Sequence, residues 1–591
     1  MPAVASRSIH AESLRDPSAW TVFLTLLVLL LSAVEGWYRR TDFATDAISY
    51  LDISRALPAH DWKMVFNPLW SAGYPALLAL IRPVFAASPG GEWAAIHVLN
   101  LLVLLATWSA FLYLLRAFDP LFAALPQPEA RMRRRLLHFA GVAIFLAIQL
   151  CIDSVARVGP DMLVTLFFFL ATGTLLRLVR TPTPSRAVLL GLVLGLVLGA
   201  GYWSKGIFFP LSLVMLAVAA AALLRAHRTA IPVLLAAGVF ALLAAPYVAG
   251  LTWSYGHFTT GESGNLNYAF HVNYLPRWTN WQGSAGYGTP IHPTHEVMRN
   301  PDLFVFGEPY HNTYPPFGNI AYWYEGYRHF FSLHHQLTGA MRDLAYLAHI
   351  LLTGPIFYAV ALATLLLFVY EPDRRALLIA ILRLWPLYLA GVVGILLYVQ
   401  VHLEDRYLGS FLNVLCLTPF AAAALYARLP AARVRTLVCV VLGVGAALNL
   451  AIVDRDVLDH LRHRYTYAQN PQWRLGLGLA RLGLAPGDRV AVVGGPNAQC
   501  TWAYVARVRI VAELGGDPYD QLHPSGHPTD QEIHQFWSAA PEDQRRILGL
   551  FRQAGAVAVI APVTAADHAP AKQAGGWHPV PGTNSWVYFL K

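Results

Sequence analysis

Long apolar stretches dominate this chain and leave it few ways to fold. About eleven of them approach the roughly 20 residues an α-helix needs to cross the hydrocarbon core of a bilayer. They lie near residues 20–37, 93–115, 136–152, 161–179, 187–203, 206–224, 230–250, 344–370, 376–400, 408–427 and 435–453. Only 13% of the 591 residues are charged, and mean hydropathy is +0.45. A soluble domain carries about 25% charged residues. So few charges cannot cover a water-facing surface of this size, so lipid must be part of the solvent. A soluble multidomain enzyme, a disordered chain and a fibre are thereby excluded. The first run, Trp20 to Trp37, has no clear small-residue cleavage site after it and is expected to be an anchor. The stretch from Tyr74 to Phe85 is too short to span and is broken by Arg82-Pro83. It reads as an interfacial or re-entrant helix.

Arginine and lysine in the short loops orient the spans, because cytoplasmic loops carry the excess of positive charge. One set of loops holds sixteen arginines, among them Arg131, Arg133, Arg134 and Arg135. The opposite set holds only Arg157, Lys205 and Arg406. The first set and the N-terminus are expected in the cytoplasm. Residues 38–92, residues 251–343 and the tail from 454 then lie outside. On this reading the net charge of +9 belongs to membrane topology, and no nucleic-acid partner is expected. Four cysteines, Cys151, Cys416, Cys439 and Cys500, are too few for a disulfide framework.

The tail changes character. Asp488–Gly494, Ala556–Ile560 and Trp586–Leu590 read as short buried strands, with helical patterns near 470–483 and 530–553. The chain therefore divides into a transmembrane module, 1–453, and an extracytoplasmic α/β domain, 454–591. Gly494-Gly495 lacks the full dinucleotide fingerprint and is a weak nucleotide signal. The 251–343 loop is rich in Tyr, Trp, Asn and His, as in Asn265-Leu-Asn-Tyr268 and Trp278-Thr-Asn-Trp281. Such residues suit stacking on sugar rings and suit equally a lid on the headgroup region.

Charges on the outer side are few and concentrated. They fall in residues 38–63, in Asp153, Arg157 and Asp161, at Lys205, and in Glu404-Asp405-Arg406. Ionisable groups at a membrane boundary are costly and tend to have a partner or a task, so a polar cavity facing outward is expected. Directly after the first span comes Asp46-Ala-Ile-Ser-Tyr50-Leu-Asp-Ile53-Ser-Arg55. Asp46, Tyr50 and Ile53 recur at helical spacing, so a short helix would present Asp46 at its first turn, either as a cap or as a functional carboxylate. Phe66-Asn-Pro-Leu-Trp-Ser-Ala-Gly-Tyr74-Pro follows as a proline and aromatic turn.

These residues resemble the first outer loop of the GT-C glycosyltransferases of the family 39 type, which include protein O-mannosyltransferases and lipid A aminoarabinose transferases. Three further segments agree in order. Val155-Ala-Arg-Val-Gly-Pro160-Asp161 is similar to the outer turn between the third and fourth spans. Trp203-Ser-Lys205-Gly206 is similar to the family's Thr-Lys-Gly, and Glu404-Asp-Arg406-Tyr407-Leu to its late Arg-Tyr-Leu segment. The resemblance covers about residues 20–430. It implies a polytopic α-helical membrane protein with about eleven transmembrane helices that moves a sugar from a polyprenyl phosphate to an extracytoplasmic acceptor, with inversion. In that chemistry the donor phosphate needs cations, for which Lys205 and Arg406 are the candidates. The attacking hydroxyl needs a base, for which Asp46 is first choice. Asp161 would orient it, contact the acceptor or share a metal. Tyr50, Arg55, Tyr74 and Glu404 are candidate substrate contacts. The family commonly has Asp-Glu where this chain has Asp46-Ala47, so Asp42 is the alternative carboxylate. No cofactor is required by this reading, and a divalent metal is left open. The expected setting is a bacterial-type inner membrane. The rival reading is a transporter or flippase of a lipid-linked sugar, but transporters tend to show paired half-repeats with broken helices, and the sequence shows none.

Overall fold

Every one of the eleven apolar runs is helical in the structure, a computed structural model of the chain. It describes residues 19–38, 45–85, 89–122, 125–152, 155–181, 183–275, 280–283, 285–291, 294–319, 322, 326–371, 373–426, 432–463, 470–495, 500–515, 530–563 and 576–590. Among these, six helices are long and apolar enough to cross a membrane, or eight if each of two bent pairs is one span. The remaining three runs fall short for identifiable reasons. Ala19–Tyr38 and Gly409–Tyr426 are apolar helices of 20 and 18 residues of which fewer than 18 are fully described, and the first turns of Gln127–Cys151 carry Glu129, Arg131, Arg133, Arg134 and Arg135. The chain is a multi-pass membrane protein.

Two runs that read as continuous are broken. Leu333–Thr353 and Pro355–Tyr370 meet at 79°, and Arg374–Arg383 and Trp385–Val399 at 66°. Proline enters the first turn of the second helix in both pairs. It offers no N–H to the preceding turn and disfavours helical geometry in the residue before it. Gly354 accordingly is extended, at φ −86° and ψ 114°. Apolar composition runs straight across such breaks and hides them.

Close helix contacts come from small residues, as they must where lipid supplies no hydrophobic drive between helices. Pro184–Ser204 presents Gly191, Gly195 and Gly199 one turn apart to Ile231–Tyr255. A Cβ on them would meet Pro232 O at 2.2 Å, Ala236 O at 2.4 Å and the Leu243 side chain at 2.6 Å. This packing fixes the helix that ends at Lys205.

The polar cap is one seven-stranded sheet. Its strands are β1 (His295–Met298), β2 (Leu303–Val305), β3 (Arg489–Val493), β4 (Arg509–Leu514), β5 (Ala558–Pro562), β6 (Trp577–Pro579) and β7 (Ser585–Phe589), in the order β1-β2-β4-β3-β5-β7-β6. β3 lies parallel to β4 and β5, and the outer pairs are antiparallel. The three strands expected in the tail are β3, β5 and β7. β4 and β6 are additional, and β1 and β2 come from the long 251–343 loop. Loop and tail thus share one sheet. The last apolar helix, Ala432–His463, runs ten residues past the expected domain boundary at 453.

Candidate active site

Asp46 lies in the first turn of the helix Thr45–Ala56, and Arg55 in its last. Acid at the N-terminal end and base at the C-terminal end complement the helix dipole, which helps a helix of 12 residues to form. The Asp46 side chain reaches across the fold. Both terminal nitrogens of Arg406 donate to its Oδ2 at 3.1 Å. Asp46 remains about a third exposed, Arg406 less so.

Asp161 and Lys205 form a second pair. Asp161 opens the helix Asp161–Arg180. Lys205 sits in the turn after Pro184–Ser204, in extended geometry, with its N–H still donating to Gly201 O. Its Nζ donates to Asp161 Oδ1 at 2.5 Å, with Asp161 only 6% exposed, and lies 3.9 Å over the Tyr407 ring. Burial lowers the pKa of the Lys205 ammonium, against the pull of Asp161. A close approach keeps this turn in place. A Cβ on Gly73 would meet the backbone of Trp203 at 2.7 Å and Ser204 Cα at 3.0 Å, so only glycine lets the helix Gly73–Ile81 sit against it.

Glu404 backs Arg406, and Tyr407 lies against both Arg406 and Lys205. Glu404 Oε2 is 2.6 Å from Arg406 Nε, and its Oε1 is 3.3 Å from His402 Nε2. Burial works to raise the Glu404 carboxyl, but the His402 hydrogen bond and the Arg406 charge outweigh it and bring it down to about 2. Arg157 approaches Asp405 at 3.6 Å and so brings the 155–160 turn to the same place.

Four distant segments therefore bring Asp46, Asp161, Lys205, Glu404 and Arg406 together. Tyr50 and Tyr74 flank them. The Tyr50 ring meets Trp70 and Tyr74 edge-on at 5.3 and 5.8 Å and lies near the Gly159–Asp161 turn. Tyr74 donates to Asn100 Oδ1 at 2.8 Å, and Asn100 holds the carbonyls of Val155 and Arg157. A cavity lined by Tyr74, Asn100, Arg157, Gly159 and Asp161 borders the cluster. Arg55 is not brought to it: its guanidinium pairs with Glu92 at 2.8 Å and covers the Tyr504 ring at 3.9 Å. Asp42 lies outside the described residues, as do Asp153 and Trp278. Three participants were missed. Asn100 had a signal, a buried amide within an apolar run. His402 and Tyr407 flank Arg406 and were within reach of the same motif. In the 251–343 loop, Trp281 and Tyr327 are buried with Leu266, Phe270 and Leu275 in a small core of their own, so these aromatics at least serve packing.

Among the described residues no three His, Cys, Asp or Glu side chains gather as a metal-binding set. Asp46 and Glu404 face Arg406, and Asp161 faces Lys205.

No protein-family model matches the chain, and no curated protein matches it in sequence. Solved structures do. The chain is similar to ArnT from Cupriavidus metallidurans bound to undecaprenyl phosphate, with a TM-score of 0.51 and 11% identity over 98% of this chain and 99% of that one. The oligosaccharyltransferase of Archaeoglobus fulgidus in the apo form gives a TM-score of 0.48 at 13% identity, over 92% of this chain and 70% of that one. The similarity to ArnT along nearly its whole length establishes the fold as the GT-C fold that the sequence motifs imply.

Proposed function

We propose that this protein is a membrane glycosyltransferase that moves a sugar from a polyprenyl phosphate to an acceptor on the extracytoplasmic face, with inversion. One observation carries the reading: two cations and two carboxylates, Lys205, Arg406, Asp46 and Asp161, meet at helix ends from four distant segments, on the fold of a protein crystallised with undecaprenyl phosphate. Lys205 and Arg406 receive the donor phosphate, which leaves as the anomeric C–O bond breaks. Asp46 takes the proton of the acceptor hydroxyl as its oxygen forms the new bond from the opposite side. A phosphate competes with Asp46 for Arg406, so donor binding also releases the base. Asp161 holds Lys205 in place, and Glu404 holds Arg406. On this reading the N-terminus lies in the cytoplasm and the sheet outside, in a bacterial-type inner membrane; the arginine excess in one set of short loops supports that orientation. The transmembrane module, 1–453, and the extracytoplasmic domain, 454–591, are the two working parts, and the outer loop of the first completes the sheet of the second.

The test is transfer from a panel of radiolabelled polyprenyl-phosphate sugars in membranes containing the protein. Transfer from one donor that is lost with Asp46→Asn supports the reading. Movement of the lipid-linked sugar across the bilayer without transfer would replace it with the transporter reading.

A further inference from the structure

The helix that carries Asp46 has a second half that faces elsewhere. Six and nine residues beyond Asp46, about 9 and 14 Å along the axis, stand Asp52 and Arg55. Neither is turned to the charge cluster: Asp52 faces Thr313, and Arg55 faces Glu92 and Tyr504 of the tail. Asp52 is 7% exposed, and both its oxygens are taken by one residue. Thr313 donates its N–H to Oδ2 at 2.8 Å and its hydroxyl to Oδ1 at 3.0 Å. The Thr313 carbonyl in turn accepts the N–H of Ile510 in β4 at 3.0 Å. Its neighbours hold the same strand: Tyr310 O accepts from Arg509 at 2.6 Å, and Tyr314 donates to Glu513 at 2.9 Å. Residues 310–314 are therefore a strip laid between β4 and the helix.

Arg55 makes the second connection. It lies over the ring of Tyr504 at 3.9 Å, in the tail helix Thr501–Ala506. Arg55, Arg82 and the Tyr504 hydroxyl all converge on Glu92, at 2.8, 2.6 and 3.0 Å. One carboxylate thus ties the Asp46 helix, the Gly73–Val84 segment, the start of the helix Pro89–Arg116 and the tail. These two connections come from different parts of the chain, Thr313 in the long outer loop and Tyr504 in the tail, and use different chemistry, yet both grip the same helical turn.

We propose that the outer sheet sets the position of the Thr45–Ala56 helix, with Asp52 and Arg55 as positioning residues that place Asp46 against Arg406. The proposal rests on the reading of Asp46 as the base. A sheet that merely covers the membrane module has no reason to bond the far end of this helix twice through buried polar groups, which are costly to bury unless paired. A helix gripped at one end moves as a rod, so a loosened grip displaces Asp46 at the other end, and displacements near 1 Å cost up to about 10²-fold in rate.

Two readouts on the full-length protein test this. The first is hydrogen exchange of the peptide covering residues 45–56. Tyr504→Ala removes one connection and Thr313→Val takes the hydroxyl bond from the other while its N–H still reaches Asp52, and each should raise exchange there by about fivefold, the ratio that a contact of this strength supports. Exchange in the Ile231–Tyr255 helix should not change, and Thr313→Ser should restore the wild-type pattern. The second is transfer kinetics. Each loosened variant should lower kcat about tenfold or more with KM unchanged, and Tyr504→Ala should add little once Asp46→Asn is present. Unchanged exchange at 45–56 overturns the proposal, whatever the transfer assay shows. Raised exchange with normal kcat also overturns it, leaving the sheet as a cover. If no donor is turned over at all, it is the glycosyltransferase reading that falls, and the exchange pattern still decides whether the sheet holds this helix.

Discussion

Replacing Lys205 with alanine should do more than weaken donor binding. Asp161 is 6% exposed and has Lys205 Nζ at 2.5 Å. Removing one partner of a buried pair strands the other charge, at a cost of about 3–5 kcal/mol. Lys205 is itself 21% exposed, and Arg406 is close enough to act on the same carboxylate. Both reduce the penalty, so the lower end, about 3 kcal/mol, is the expected loss. Lys205→Ala with Asp161→Asn removes the stranded charge and should regain most of that stability. Donor affinity should not return, because the cation is still missing. A charge-assisted contact contributes about 1.5–3 kcal/mol, so affinity for a polyprenyl phosphate should stay about tenfold or more below wild type in both variants. Thermal unfolding of the purified protein in detergent measures the first effect, and titration with polyprenyl phosphate the second. A Lys205→Ala protein that melts with the wild type would refute the buried pair. A double variant that binds phosphate normally would refute Lys205 as its cation.

Asp46→Asn keeps size and hydrogen bonding but removes basicity, so transfer should drop by about 10² or more while donor binding persists; loss of binding instead would make Asp46 a donor contact. Gly73→Ala drives a Cβ onto backbone atoms 2.7–3.0 Å away, an overpacking expected to cost about 1–3 kcal/mol and to shift the Lys205 turn; a variant with normal melting and normal transfer would contradict the close approach. Burial raises the Glu513 carboxyl to about 8, against donors from Asn280 and Tyr314. The folded chain then keeps a proton that the unfolded chain releases above about pH 4.3, so this group's stabilisation is full below that pH and is lost as pH rises through 8, at up to about 1.4 kcal/mol per unit. Glu513→Gln should flatten that fall in melts taken from pH 5 to 9, and an unchanged slope would show that Glu513 is ionised when folded.

What could be read from the sequence follows the range of the interactions. Apolar runs report burial in lipid residue by residue, so each run emerged as helix, while the bends at Gly354 and before Trp385 depend on single prolines within unbroken apolar composition. The Gly191-x-x-x-Gly195-x-x-x-Gly199 spacing was present but says nothing until its partner helix is known. The strands β3, β5 and β7 carry continuous apolar runs. β4, Arg509-Ile-Val-Ala-Glu-Leu514, has a glutamate in its core that breaks the pattern, and β2 pairs with this strand some 200 residues away and carries β1 on its other edge. At the site, the motif residues Asp46, Asp161, Lys205 and Arg406 were legible because each sits at a helix boundary where charge is costly. Their pairing was not, because nothing local in a sequence says that position 46 meets position 406.

The pairing also explains how a membrane protein keeps five charges at one place. Asp161 faces Lys205, and Asp46 and Glu404 share Arg406, so each carboxylate has a cation before any ligand arrives. A lone carboxylate or ammonium at this depth would be expensive to bury. On the proposed reading, an incoming phosphate takes over contacts of these cations and leaves one carboxylate without its partner. It takes the two cations, and Asp46, a third exposed, is left facing the acceptor side as a base. The site is then stable when at rest for the same reason that it is reactive when loaded. That reading makes Glu404 the residue that keeps Arg406 from leaving with the phosphate. Its carboxyl, held down to about 2 by His402 and Arg406 in spite of burial, stays ionised at any pH where the enzyme would work. The arginine therefore stays anchored at Nε while its two terminal nitrogens change partners from Asp46 to the donor.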